Sequence, residues 1–351
     1  MVAQDPTAAT ALPAEARAAQ RSTAGESPWR AALAQLVRSR MAVGSTVVLV
    51  LIVAVSLAAP LYASQVAHTN PFESHVSGTT VVNGKVVPVL APNHQGLGLG
   101  VVPIGPTWDI HHYFLGADNQ GRDLMARLLY GGRNTLLIGT SSALICCLVA
   151  ALLGLLAGYS GGAVDWVLSR IFDLVWAFPV YLLAIAISVV LLTSGLSIGP
   201  IHIGAGNLLM PILIIAAVYV PYVARPLRGQ VMSLKQREYI QAAIGTGASD
   251  FQVLRTEILP NVLPSVIVFL PLMIALNMLT ESALSFLSVG VQPPSASWGT
   301  IINDGLGLLY TRPMVAIAPG LMLVITAGAF NLLGDAVREA IDPQARLRGT
   351  S

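Results

Sequence analysis

LVWAFPVYLLAIAISVVLLTSGLSIGPIHIGAGNLLMPILIIAAVYVPYVA, from Leu174 to Ala224, contains no Asp, Glu, Lys or Arg. A helix needs about 20 apolar residues to traverse a hydrocarbon core of about 30 Å. This stretch is long enough for two such helices, with a break at the Gly/Pro-rich Ser194–Asn207. Charge-free runs of the same kind lie on either side: Met41–Tyr62, Asn134 to about Tyr159, one from Asn261 past Asn277, and Pro313–Gly334. Six spans are therefore predicted, near 41–62, 135–158, 172–193, 207–224, 262–286 and 314–334. The fold class is an all-α integral membrane protein.

Composition agrees. Charged residues make up 10% of the 351 and hydrophobic residues 54%, whereas soluble domains carry about 25% charged residues. A formal net charge of +2 gives no electrostatic footprint for a nucleic acid partner. The two cysteines, Cys146 and Cys147, are neighbours in an apolar run and read as small apolar residues. No metal-ligand spacing occurs; all six histidines (68, 75, 94, 111, 112 and 202) fall between spans and read as solvated loop residues.

Orientation follows from Lys and Arg, which concentrate in cytoplasmic loops. With the N-terminus inside, fourteen of the 19 fall on the cytoplasmic side, so both termini are predicted to be cytoplasmic. Residues 1–28 are Ala/Thr/Pro-rich and read as a disordered cytoplasmic tail. Within 29–62, an amphipathic surface helix (Trp29, Leu33, Leu36, Val37) precedes the first span. Residues 63–133 form a long external loop. In it Asn83-Gly84 separates two β-branched runs, the strongest short hairpin signal, and the rest through Pro88–Pro106 reads as loop. Residues 134–334 hold five spans and an internal loop at 225–260, and 335–351 form a cytoplasmic tail.

Loop 225–260 reads as helix, glycine turn, helix. Glu238–Ala243 favours helix, Gly245 and Gly247 break it, and Ser249-Asp250 starts a second short helix ending at Leu259-Pro260. Its small residues suit close packing against a partner; an ordinary connecting loop is the alternative. In the fifth span Asn277, Glu281 and Ser285 recur every four residues and share one face. An acid within a span faces the bundle interior or a water-filled path, so this stripe either lines a translocation path or hydrogen-bonds a neighbouring helix. Pro179, Pro211 and Pro271 fall inside spans and can kink them. Catalytic chemistry has no visible home: there is no Gly-x-x-x-x-Gly-Lys-[Ser/Thr] loop for ATP, no His-Glu-x-x-His and no histidine within a span.

Four longer motifs occur together. Phe114–Gly139 reads FLGADNQGRDLMARLLYGGRNTLLIG, Arg237–Asn261 reads REYIQAAIGTGASDFQVLRTEILPN, Glu281–Thr300 reads ESALSFLSVGVQPPSASWGT, and Asn331–Gln344 reads NLLGDAVREAIDPQ. Over Trp29–Arg346 the chain resembles the C-type permease subunit of bacterial dipeptide/oligopeptide ABC importers (DppC/OppC-like). Gln241 stands where the consensus of the second motif, the EAA loop, has Glu, and Ala126 replaces a usual Ser. The segment 74–106 is longer than the family norm.

The resemblance implies a type I ABC importer permease in the bacterial cytoplasmic membrane. It implies a second homologous permease, one or two ATPase subunits that bind ATP and Mg2+, and an external substrate-binding protein. This chain itself would hold no cofactor. Glu238, Tyr239, Gln241, Ala242, Ala243, Gly247, Ala248 and Asp250 would form the coupling surface for an ATPase subunit. Asn277, Glu281 and Ser285 are the candidates for the path.

Overall fold

The computed structural model describes residues 28–82, 84–93 and 100–341. The tail expected over 1–28 and the last ten residues lie outside these, apart from Pro28. Helix α1 (Pro28–Arg38) meets α2 (Arg40–Leu57) at Ser39, whose hydroxyl caps α2 by accepting from the Ala42 amide. Leu33 and Val37 on α1 stay exposed, as an amphipathic helix on a membrane surface requires.

Between α2 and α3 (Leu124–Ser160) the chain makes two antiparallel hairpins. The expected one pairs β1 (Thr79–Val82) with β2 (Lys85–Pro88), with Val82 opposite Lys85; Asn83 lies outside the described residues. The second pairs β3 (Leu90–Pro92) with β4 (Val101–Pro103), in a stretch expected to be loop. Its prolines sit at the ends of edge strands, where a missing amide costs no ladder bond.

Helix α3 ends at Gly161, and the next span departs from expectation. In place of one helix over 172–193 there are α4 (Gly162–Trp176) and α5 (Val180–Ser194), bent 89° at the intervening residues. Pro179 disfavours helical backbone at Phe178, so the helix stops before it. A short hairpin, β5 (Leu196–Ile198) with β6 (Ile201–Ile203), fills the expected break around Ser194–Asn207.

Helix α6 (Leu209–Lys235) continues eleven residues past the expected end at 224, because Arg225 and Arg228 find acidic partners on α4. Pro211 lies in its first turn, where no amide is needed, and does not interrupt a span. The inner loop therefore begins at Gln236. Helix α7 (Glu238–Gly245) follows, then Asp250–Val253, a π turn at Leu254–Ile258, and α8 (Leu259–Phe286). Pro260 was expected to stop this second helix. The helix instead runs on: the π turn carries the Leu259 amide to the Leu254 carbonyl, and Pro260 occupies the start of α8, where its missing donor is not needed. After α9 (Trp298–Gly305), α10 (Met314–Ile341) runs beyond the expected boundary at 334.

Among the described residues five helices are long and apolar enough to cross a membrane, six if the bent α4–α5 pair counts as one. The core is the packing of α3 along α6 and against α8, with α10 closing the other side of α8 and touching α2. Ile138, Cys146, Ile215, Leu227, Met273 and Met278 are fully or almost fully buried there.

Candidate functional site

Helix α7 is anchored by one side chain, Ile240, which is fully buried, while Glu238, Tyr239, Gln241 and Ala242 stay exposed. Ala243 and Ala248 are half-buried. Gly247, at φ +90°, turns the chain towards Asp250 with a backbone that suits glycine. Ser249 caps the next helix by accepting from the Gln252 amide. The structure thus brings all eight expected coupling residues to one protruding corner.

What holds that corner was not visible in the sequence. The Tyr159 hydroxyl at the end of α3 donates to Asp250 Oδ1 (2.7 Å). Lys235 Nζ donates to the Tyr159 carbonyl (2.6 Å) and lies 4.8 Å from the centre of its ring. The Gln241 amide donates to the Lys235 carbonyl (2.7 Å). One tyrosine therefore clamps both ends of the loop to α3. Sequence reasoning also passed over Phe251, an aromatic side chain 72% exposed on the same corner. Its position beside Asp250 was the available signal.

A second set of bonds ties α6, which leads into this corner, to α4. Arg228 grips Asp165 through two nitrogens, Nη2 at 2.6 Å from Oδ2. Arg225 Nη2 donates to Asp173 (2.6 Å) and its guanidinium stacks 4.4 Å from the Trp176 ring centre. These bonds join α6 directly to α4.

The polar stripe of α8 lies inside the subunit. Asn277 and Glu281 are 0% exposed and Ser285 is 1% exposed. The Asn277 amide hydrogen-bonds the Ser142 hydroxyl on α3 (3.0 Å). Glu281 accepts from Ser285 (2.7 Å) and Ser282 (3.3 Å), with the hydroxyls of Thr135 and Ser297 also against it. Ser285 in turn accepts from the Val291 amide (2.9 Å), and Trp298 donates its amide to Thr135 and its indole N–H to the Leu128 carbonyl. The motif from Glu281 to Thr300 is thereby explained as one folded-back unit fastened to α3.

At the same end of the molecule the motif GADNQGRD builds a buried ion network. Arg122 and Arg127 both reach Asp304 (2.9 Å each), and Arg122 Nε donates to Asp118 (2.7 Å). Burial raises the carboxyl of Asp304 above its usual range, opposed by the two guanidiniums. Asp123 caps α3 by accepting from the Ala126 amide (2.7 Å). Burial pushes its pKa up to about 6.

Comparison with known proteins agrees with this architecture. Residues 150–347 match the family described as binding-protein-dependent transport system inner membrane component, and 27–75 match the N-terminal TM domain of oligopeptide transport permease C. The dipeptide transport system permease protein DppC of Alkalihalophilus pseudofirmus is 32% identical over 91% of each chain. The oligopeptide permease OppC of Haemophilus influenzae is 30% identical over 92% of this chain and 90% of the relative. The glutathione permease GsiD of Pectobacterium atrosepticum is 39% identical over 67% of this chain and 73% of the relative. A solved inward-facing structure of the MetNI methionine ABC transporter shares the fold, with a TM-score of 0.51 at 18% identity over 62% of this chain and 98% of that one. The family model covers more than half of the chain and the relatives cover most of it, so the chain belongs to the binding-protein-dependent transport system inner membrane component family.

Proposed function

We propose that this chain is one of two permease subunits of an ATP-driven importer of short peptides in a bacterial cytoplasmic membrane. The chemistry shared by the named substrates of its relatives, dipeptides, oligopeptides and glutathione, is a short peptide. The α7 corner supports the coupling role: an exposed face with small residues, anchored by Ile240 and clamped to α3 through Tyr159. Small side chains let a partner backbone approach closely, so this face suits the groove of an ATPase subunit. Closure of the ATPases would push α7, and the rigid links through Arg225 and Arg228 would pass the motion to α4 and α5, a two-state rigid-body switch.

In this reading ATP and Mg2+ are held by partner chains, both termini are cytoplasmic, and a binding protein delivers substrate to the hairpin side. Asn277, Glu281 and Ser285 act as internal struts that set the shape of the path wall. Ala242→Arg tests the coupling assignment, because Ala242 is exposed and the substitution leaves the fold intact. In the reconstituted importer it is expected to abolish uptake and its coupling to ATP hydrolysis. Uptake at the normal rate would sink the assignment. Gly247→Arg is a poorer probe, since its φ of +90° strains any side chain whatever the partner does.

A further inference from the structure

The external loop holds out two large apolar side chains shortly before α3. Trp108 is 65% exposed and Ile110 53% exposed. The turn that carries them is closed on itself. The Thr107 hydroxyl donates to the His112 carbonyl and accepts from the Asp109 amide (3.1 Å). Trp108 donates its amide to the Phe114 carbonyl (3.3 Å), and the Asp109 carboxylate accepts from the His111 amide (3.0 Å). Trp108 takes a left-handed backbone, φ +59°, which residues other than glycine seldom adopt. Its ring stands edge-on to Phe114, 5.6 Å between centres, and its indole N–H has no acceptor among the described residues. The turn is thus built to present an indole outward.

The depth of the turn follows from its bonds to the first span. Helix α2 continues through Ala59–Leu61 into a π turn at Tyr62–Val66. At 1.5 Å per residue the stretch from Arg40 to Leu61 is about 32 Å long, just enough to cross a hydrocarbon core of about 30 Å. With Arg40 at one boundary, Tyr62–Val66 stands at the other. The Tyr62 hydroxyl donates to the Ile110 carbonyl (3.2 Å), and His111 Nδ1 lies 3.1 Å from the Val66 carbonyl oxygen. Side chains on a helix lean towards its N-terminus. The Tyr62 hydroxyl therefore reaches back towards the bilayer and holds Ile110 at the edge of the hydrocarbon. Leu57 and Leu61, one turn apart on the span just before Tyr62, are exposed as well, so the apolar surface of the span runs on to the level of the turn.

We propose that the turn 107–113 rests on the bilayer, with Trp108 and Ile110 entering the headgroup–acyl boundary of a zwitterionic phospholipid leaflet. Tryptophan suits this depth, because its ring is apolar and its N–H can donate to ester or phosphate oxygens. The one carboxylate on the turn, Asp109, accepts from the His111 amide and lies 2.9 Å from His112 Nδ1. Its negative charge favours a zwitterionic surface over an anionic one. The contact ties the external loop to the membrane beside the first span. The inference rests on the chain's crossing the membrane and not on the transport reading.

The test places a nitroxide label on Ile110→Cys in the full chain, reconstituted in phosphatidylcholine vesicles; the native cysteines are buried. The substitution spares the turn, because the backbone carbonyl of Ile110, not its side chain, bonds Tyr62. Power saturation then compares collisions of the label with O2, which concentrates in lipid, and with a water-soluble nickel chelate. At position 110 O2 is expected to relax the label more than nickel does. At Lys85→Cys, on the β1–β2 hairpin, the order is expected to reverse. The same preference for nickel at 110 as at 85 would leave the turn in water, as a surface awaiting a partner protein would be, and overturns the proposal. A label that neither reagent reaches is covered by protein and overturns it too. Should the labelled variant fail to fold, the native tryptophan decides. Phospholipid brominated near its headgroup is expected to quench a component of the fluorescence that Trp108→Phe lacks; no such component overturns the proposal.

Discussion

Asp123 shows how a single residue can serve structure at an electrostatic cost. Its carboxylate caps α3, yet it is almost fully buried and one oxygen has no partner. Burial raises its pKa from 3.8 to about 6. The folded state then binds more protons than the unfolded state between those values, so this contribution to stability is full below about pH 4 and is lost as pH rises through about 6. Asp123→Asn keeps the cap, since Asn caps as well as Asp, and removes the buried charge. It is expected to stabilise the chain by about 1–3 kcal/mol above pH 7 and to flatten the pH dependence between about 4 and 6. Thermal unfolding in detergent across that range checks this; parallel curves for the two proteins would refute it. The sequence reading kept residues up to 133 in the external loop, whereas α3 begins at Leu124, just after Asp123; the burial was not legible either, because it comes from segments far away along the chain.

Among elements, the α3–α6 pair carries the frame. Their close approach depends on Gly158, where an added Cβ would stand 2.7 Å from Val231 Cβ and 2.8 Å from the Arg228 carbonyl oxygen. Both are parts of a helix that cannot yield without shifting. Gly158→Ala is expected to destabilise the chain by about 1–3 kcal/mol. It should also loosen the Tyr159 clamp beside it, seen as faster proteolysis of 236–249. Unchanged melting and proteolysis would show that α6 accommodates the methyl group. At this scale the sequence was readable wherever one helix stood alone: the spans, the β1–β2 hairpin and α7 follow from local pattern. Two of the misread boundaries share one cause. Helix α6 was cut at its first arginine, and the short helix from Asp250 was ended at Leu259-Pro260; both continue because distant groups or a π turn satisfy what the local sequence lacks.

For the whole molecule, the orientation proposed above from the positive-inside distribution would put the β1–β2 hairpin and the α7 corner on opposite sides of the membrane. The native Cys146 and Cys147 are buried and contribute little background. In intact cells, Lys85→Cys is expected to react with a membrane-impermeant maleimide, and Thr246→Cys only after permeabilisation. Labelling of both from one side would refute the orientation. The Asp118–Asp304 network lies at the start of α3 and the Tyr159 clamp at its end, joined by the length of that helix.

The sequence by itself determined that this is a multi-span membrane protein, where most spans lie, and that residues 238–245 form a short helix followed by a glycine turn. Each of these rests on local composition and period, or on motifs read in order along the chain. Only the tertiary structure decided that the Asn277–Glu281–Ser285 stripe faces inward, that the third span is bent at Pro179, and that Tyr159 braces the α7 corner. These depend on which side chain from elsewhere meets a given face. In an interior where an unpaired polar group costs several kcal/mol, that pairing fixes where the polar residues go.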